Sequence, residues 1–148
     1  MADGDFLISE PVVNYEISDF ERSAIEETKK LFTFDRHRFF FMRNGYSLNL
    51  QDSGLKKFPN CVRNLKHLIH IDFSYNNIDE FLEILTELHL LTIINLFGNY
   101  ISEIPDWICD LENLQVLELG KNHIKEIPPE IGNLKKLDKI KRKNKKPI

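Results

Sequence analysis

The stretch Leu68-Ile69-His70-Ile71-Asp72-Phe73-Ser74-Tyr75-Asn76-Asn77-Ile78 reads L-x-x-I-x-F-x-x-N-x-I, and it returns twice at intervals of 23 residues. Leu91, Ile94, Leu96, Asn99 and Ile101 fill its apolar and asparagine slots in the first return, and Leu114, Leu117, Leu119, Asn122 and Ile124 in the second. A weaker copy comes before, with Gly45, Leu48, Leu50, Ser53 and Leu55, and a fragment with Leu137 and Ile140 follows. The second half of the unit keeps register too. Leu55, Ile101 and Ile124 lead to the pairs Phe58-Pro59, Ile104-Pro105 and Ile127-Pro128, and apolar residues then recur every three positions, as in Val62, Leu65 and Leu68. The second unit departs by placing Phe81-Leu82 at the aliphatic-proline pair.

A unit this short cannot bury an apolar side alone, so copies must stack and share one core. Slots one, four, six and eleven point inward, each burial contributing roughly 1.5–3 kcal/mol. Slots three to five form a strand that pairs in parallel with the next unit. Between the inward slots, side chains project onto the opposite, concave face. The prolines suit the convex side, where no sheet needs their missing N–H. Short helical or 3₁₀ turns are expected there.

This pattern resembles the leucine-rich repeat family over residues 45–148, and its proline-bearing half is similar to the 23-residue intracellular type, as in Ras-suppressor-like scaffolds. The resemblance implies an α/β solenoid with a parallel concave sheet and a ladder of stacked asparagines that satisfy buried backbone groups. It also implies a non-enzymatic interaction module: an adaptor or small subunit of a larger assembly, with a protein partner on the concave face. Two other readings stay open, an enzyme-inhibiting regulatory repeat protein and a nuclear or polyanion-associated protein.

Composition and ends fill in the rest. At 148 residues and 42% apolar content the chain fits one packed body. No apolar run is long enough to span a membrane. Cys61 and Cys109 lie in convex segments of different units, which points to a reducing cytoplasmic or nuclear setting. Residues 1–44 are read as a tail, Met1 to Tyr15, and a capping helix from Ser18 to about Asp35. That helix has capping-box spacing at Ser18 and Glu21 and an apolar stripe of Phe20, Ala24, Thr28 and Leu31. The same helix is alternatively a docking element for a partner's groove. Phe39 to Met42 then enter the first repeat. Residues 45–148 hold four full repeats, a partial fifth and a basic tail. From Lys135 onward there are eight lysines or arginines and one acid, a local charge of +7; the whole chain carries −3, so residues 1–134 carry −10. The tail reads as a solvated finish, a nuclear-import signal or a weak polyanion contact.

No phosphate loop, metal-ligand spacing or nucleophile–histidine pair is legible, so no catalysis, cofactor, metal or small-molecule substrate is expected. The binding residues are instead expected on the concave face. Tyr75, Ile93, Phe97 and Val116 form an apolar centre left accessible by Gly98 and Gly120, and His70, Asp72, Asn95, Glu118 and Lys121 form its polar rim.

Overall fold

The computed structural model describes residues 15–31, 38–81 and 83–141. Among these residues six strands make one sheet in chain order: β1 Phe39–Met42, β2 Gly45–Asn49, β3 Leu68–Asp72, β4 Ile93–Asn95, β5 Val116–Glu118 and β6 Lys139–Lys141. Strands β2 to β6 pair in parallel, one from each unit. On the other side run four 3₁₀ turns, Asn60–Asn64, Glu83–Glu87, Asp106–Asp110 and Pro129–Asn133, as the repeat requires. Pro59, Pro105 and Pro128 precede three of them with φ near −60 to −72°, the angle their rings enforce, and their carbonyls accept the first turn bonds. The Glu83–Glu87 turn forms without such a proline. Proline therefore assists this turn without being needed for it.

Between sheet and turns lies the core that all units share. Leu68, Leu91 and Leu114 at slot one, Leu48, Ile71, Ile94 and Leu117 at slot four, and Leu50, Phe73, Leu96 and Leu119 at slot six are all buried. Among the described residues, slot eleven is fully buried at Ile78 and Ile101 in the middle units and half-buried at Leu55 and Ile124 in the outer ones. The first unit corrects the slot-one reading. A register shift between Tyr46 and Ser47 sets Tyr46 opposite Leu68, so the side chain that fills the core there is that of Tyr46, while Gly45 beside it is buried without one. A Cβ on Gly45 would lie 2.4 Å from the His67 carbonyl oxygen, which leaves glycine as the residue that fits.

The asparagines form the expected ladder. Asn99 donates from Nδ2 to the carbonyls of Phe73 (2.9 Å) and Leu96 (3.1 Å), and its Oδ1 accepts the Ile78 N–H at 3.0 Å. Asn76 and Asn122 repeat these bonds one unit earlier and one later. Ser53 replaces asparagine in the first unit, and there Arg38 reaches in, donating to the Ser53 hydroxyl at 2.7 Å and the Asn49 carbonyl at 3.3 Å.

The N-terminal end departs most from expectation. Helix α1 spans Asp19–Leu31, and the residues from 32 to the expected end at Asp35 lie outside the described set. Its buried face is Glu21, Ala24, Ile25 and Thr28, whereas Phe20 (82% exposed) and Leu31 (56%) face away. The expected stripe ran at spacing four, which drifts around a helix of 3.6 residues per turn. The true face follows i, i+3, i+4, i+7 and begins with an acid, which hid it. The capping box is half formed: the Glu21 N–H donates to Ser18 Oγ at 3.2 Å, but the carboxylate turns inward. Phe39 to Met42 form their own antiparallel strand against β2, making a hairpin rather than entering the first repeat. Residues 1–14 of the expected tail lie outside the described set, but Tyr15 is packed: its ring stacks on His67 with centroids 4.6 Å apart, and its hydroxyl donates to the Gly45 carbonyl at 2.8 Å.

Glu21 is 1% exposed and explains this end's arrangement. It accepts the Tyr46 hydroxyl at 2.5 Å and the His67 N–H at 2.7 Å, and His67 Nδ1 lies 2.8 Å from its second oxygen. Burial and the adjacent Glu21 push the Tyr46 phenol far above its ordinary range, so it stays a donor. A carboxylate so deep is tolerable only with its oxygens satisfied, as these are. At the other end Lys141 closes β6, and residues 142–148 of the basic tail lie outside the described set.

Candidate binding face

Parallel register decides which side chains meet on the concave sheet. Ser47, His70, Ile93, Val116 and Lys139 pair across the strands in one row, and Asn49, Asp72, Asn95, Glu118 and Lys141 in the next. The strand spacing of about 4.8 Å makes this six-stranded surface roughly 24 Å across. Ile93 and Val116 are neighbours in its middle, both half-buried. Burial holds the His70 imidazole below its usual pKa, against the opposing pull of Asp72, so the row is uncharged there at neutral pH.

The polar row has a structural duty that its spacing did not disclose. In each of the four full units the slot-five side chain accepts the N–H two residues on: Asn49 from Gln51, Asp72 from Ser74, Asn95 from Phe97 and Glu118 from Gly120, at 2.8–3.2 Å. These are local turns that fix how the chain leaves the strand. Their remaining capacity runs sideways, with Asn95 donating to Asp72 at 3.0 Å and Lys141 paired with Glu118 at 3.3 Å. The row therefore presents two side-by-side pairs, Asp72 with Asn95 and Glu118 with Lys141.

The two aromatics stand beside it. The Tyr75 and Phe97 rings meet edge to face with centroids 5.4 Å apart, and the Lys121 ammonium lies 5.3 Å from the Phe97 centroid. The glycines are not the openings that the sequence suggests. They seat the rings. A Cβ on Gly98 would come within 3.1 Å of the Tyr75 ring, and one on Gly120 within 2.7 Å of the Phe97 ring. Each aromatic thus lies over the glycine one repeat further on. Phe97 is half-covered as a result, while Tyr75 remains 48% exposed.

Slot eight is left-handed in each of the four full units: Asp52, Tyr75, Gly98 and Lys121 have φ of 50, 55, 70 and 51°. Glycine accepts this freely and aspartate tolerates it, but a bulky side chain costs about 1–2 kcal/mol. Tyr75 is held in that state. Two truncations should expose the strain, since both remove the ring: Tyr75→Gly is expected to be about 1 kcal/mol more stable than Tyr75→Ala by urea denaturation. Equal stabilities would show that the backbone there is relaxed.

One residue of this surface was missed. Phe40 pairs with Ser47, which extends the first row by an exposed aromatic (49%) at its N-terminal edge. The run Phe39-Phe40-Phe41 carries the signal, but only the hairpin pairing with β2 shows which of its rings faces the concave side.

The Leucine Rich Repeat family profile matches residues 90–111 and 113–134. No curated protein matches the chain. Among solved structures, the leucine-rich repeat (LRR) ectodomain of the Arabidopsis thaliana receptor kinase SOBIR1 shares the fold at 17% identity and a TM-score of 0.67, over 84% of this chain and 79% of that one. A Leptospira interrogans LRR protein is 34% identical over 56% of this chain with a TM-score of 0.53, and the match spans only 21% of its own length. The LRR ectodomain of the Arabidopsis thaliana receptor kinase GASSHO1/SCHENGEN3, solved in complex with CASPARIAN STRIP INTEGRITY FACTOR 2, is 25% identical over 58% of this chain and 11% of its own, with a TM-score of 0.51.

Proposed function

Since this chain is a leucine-rich repeat protein, we propose that it works as a non-enzymatic interaction module and that its partner is a protein seated on the concave face. The observation that carries this reading is the aromatic pair Tyr75–Phe97, one member strained and exposed where the fold needs only a small residue. Ile93 and Val116 are the other apolar anchors. His70, Asp72, Asn95, Glu118 and Lys121 form the orienting rim, with Phe40 added at the edge. A face about 24 Å across accommodates one helix or loop of a partner, near the small end of standard interfaces. An adaptor or small-subunit role fits this size.

The domain division is part of the same proposal: residues 1–44 serve the first repeat as a cap, and 45–148 form the repeat body. Ala24 and Ile25 support it by joining the shared core. So is a cytoplasmic or nuclear setting. It is supported by the free thiols of Cys61, buried and bonded to Thr28, and Cys109, although two of the similar structures are ectodomains. Among the described residues no helix is long and apolar enough to cross a membrane. A weak polyanion contact by the basic tail is a secondary proposal, favoured by Lys139 and Lys141, which carry its charge onto the last strand.

Affinity capture from cell extract tests the leading reading. Partners held by the native chain are expected to be lost with Phe97→Ala. For the purified partner, that change should weaken binding by more than about 1 kcal/mol, roughly fivefold, and Lys121→Ala by less. Undiminished capture by a folded Phe97→Ala, Ile93→Ala double variant would remove the concave face from consideration.

A further inference from the structure

A second surface lies on the flank just past the asparagine turns, away from the concave sheet. There a half-open groove of about 530 Å³ is lined by Asp79, Glu80, Phe81, Tyr100, Ser102, Glu103 and Pro105. Its walls are aromatic and firmly placed. Tyr100 is 54% exposed, its ring stacked on His123 at 5.8 Å, and its N–H donates to the Ile78 carbonyl at 2.8 Å. Phe81 packs edge to face on Trp107 at 6.1 Å. Three carboxylates and no base line this groove, on a body that is acidic overall. It is continuous through Ser102 and Glu103 with a second groove on the next unit, which adds Glu126 and Lys125.

We propose that this flank groove docks an arginine-bearing segment of a protein partner, independently of the concave face. Charge complementarity fixes the sign of the occupant: the described lining brings three acids and no base, and across the continuous second groove Glu126 is added along with the one Lys125, which leaves the surface acidic. The aromatic walls fix its kind. A guanidinium is planar, weakly hydrated and able to stack on Tyr100, the exposed ring of the two, while it meets carboxylates with two N–H groups at once. An ammonium is compact and strongly hydrated, so it takes the charge attraction but gains less from the rings. Recognition is therefore a preference for arginine over lysine at equal charge. Phe81 stands where the other units carry a smaller aliphatic residue or a phenylalanine followed by proline, and this departure from the repeat supplies one wall.

The chain's one tryptophan, Trp107, sits behind that wall and reports on it. Blocked tetra-arginine and tetralysine peptides are titrated against the full chain at low salt, following Trp107 fluorescence. Tetra-arginine is expected to bind at least about threefold more tightly. Tyr100→Ala should abolish that preference, and a Glu80→Gln, Glu103→Gln variant should weaken both peptides by about tenfold, with unchanged thermal melting. Phe97→Ala should leave the titration as it is, which separates this groove from the concave reading. The idea is overturned by equal binding of the two peptides, or by a preference that survives Tyr100→Ala. An equal loss from Glu26→Gln, Glu27→Gln on α1, which marks diffuse attraction to an acidic body, also overturns it.

Discussion

Replacing Glu21 with alanine is expected to lower the unfolding free energy by about 2–5 kcal/mol, measured by urea denaturation. Two effects compete. Removing a buried carboxylate recovers its desolvation cost, which favours the variant. It also orphans the Tyr46 hydroxyl, on a fully buried side chain, and the His67 N–H beneath α1, each at about 1–3 kcal/mol. Water cannot reach Tyr46 without prising the helix away, so the second effect wins. Tyr46→Phe deletes one donor and keeps both the ring and the other bonds, and should cost about 1 kcal/mol. A Glu21→Ala loss under about 0.5 kcal/mol would mean that the helix is held by Ala24 and Ile25 alone. Cutting the chain after Tyr15 also becomes consequential, because it removes the ring stacked on His67.

Asn99→Ala is expected to cost about 3 kcal/mol by the same measurement. The side chain is buried and serves three backbone groups, the carbonyls of Phe73 and Leu96 and the Ile78 N–H. Each loses a partner worth about 1–3 kcal/mol, and a water entering the gap returns part of it. Asn122→Ala should cost less, because Asn122 is only half-buried and solvent can replace it. If Asn99→Ala and Asn122→Ala are equally mild, the ladder follows the fold without stabilising it.

The middle of this molecule was readable and its N-terminal end was not, for one physical reason. Ile71, Ile94 and Leu117 meet equivalent aliphatic neighbours, so each repeat's residues predict their environment, and the strands and 3₁₀ turns fall where the period puts them. Helix α1 has no second copy to check against, and its buried face begins with a glutamate whose partners lie 25 and 46 residues away. Gly45 looked like a degraded slot one; it marks a register shift that only the pairing with β3 reveals. On the concave face the rows follow from register, so the grouping of Ile93, Val116, Asp72, Asn95 and Glu118 was legible. The left-handed backbone under Tyr75 was not, because Gly98 and Asp52 suggest such a position and tyrosine does not.

The ladder has a direction. Each asparagine reaches back to the unit before it: Asn76 to Leu50 and Leu55, Asn99 to Phe73 and Ile78, Asn122 to Leu96 and Ile101. On the ribosome, then, each of the first three repeats gains these bonds only once the asparagine of its successor has emerged. Order must trail synthesis by a full unit, a delay of roughly one to five seconds at ordinary elongation rates. Through that interval the newest repeat waits with its turn unlatched, and it is the species a chaperone would meet.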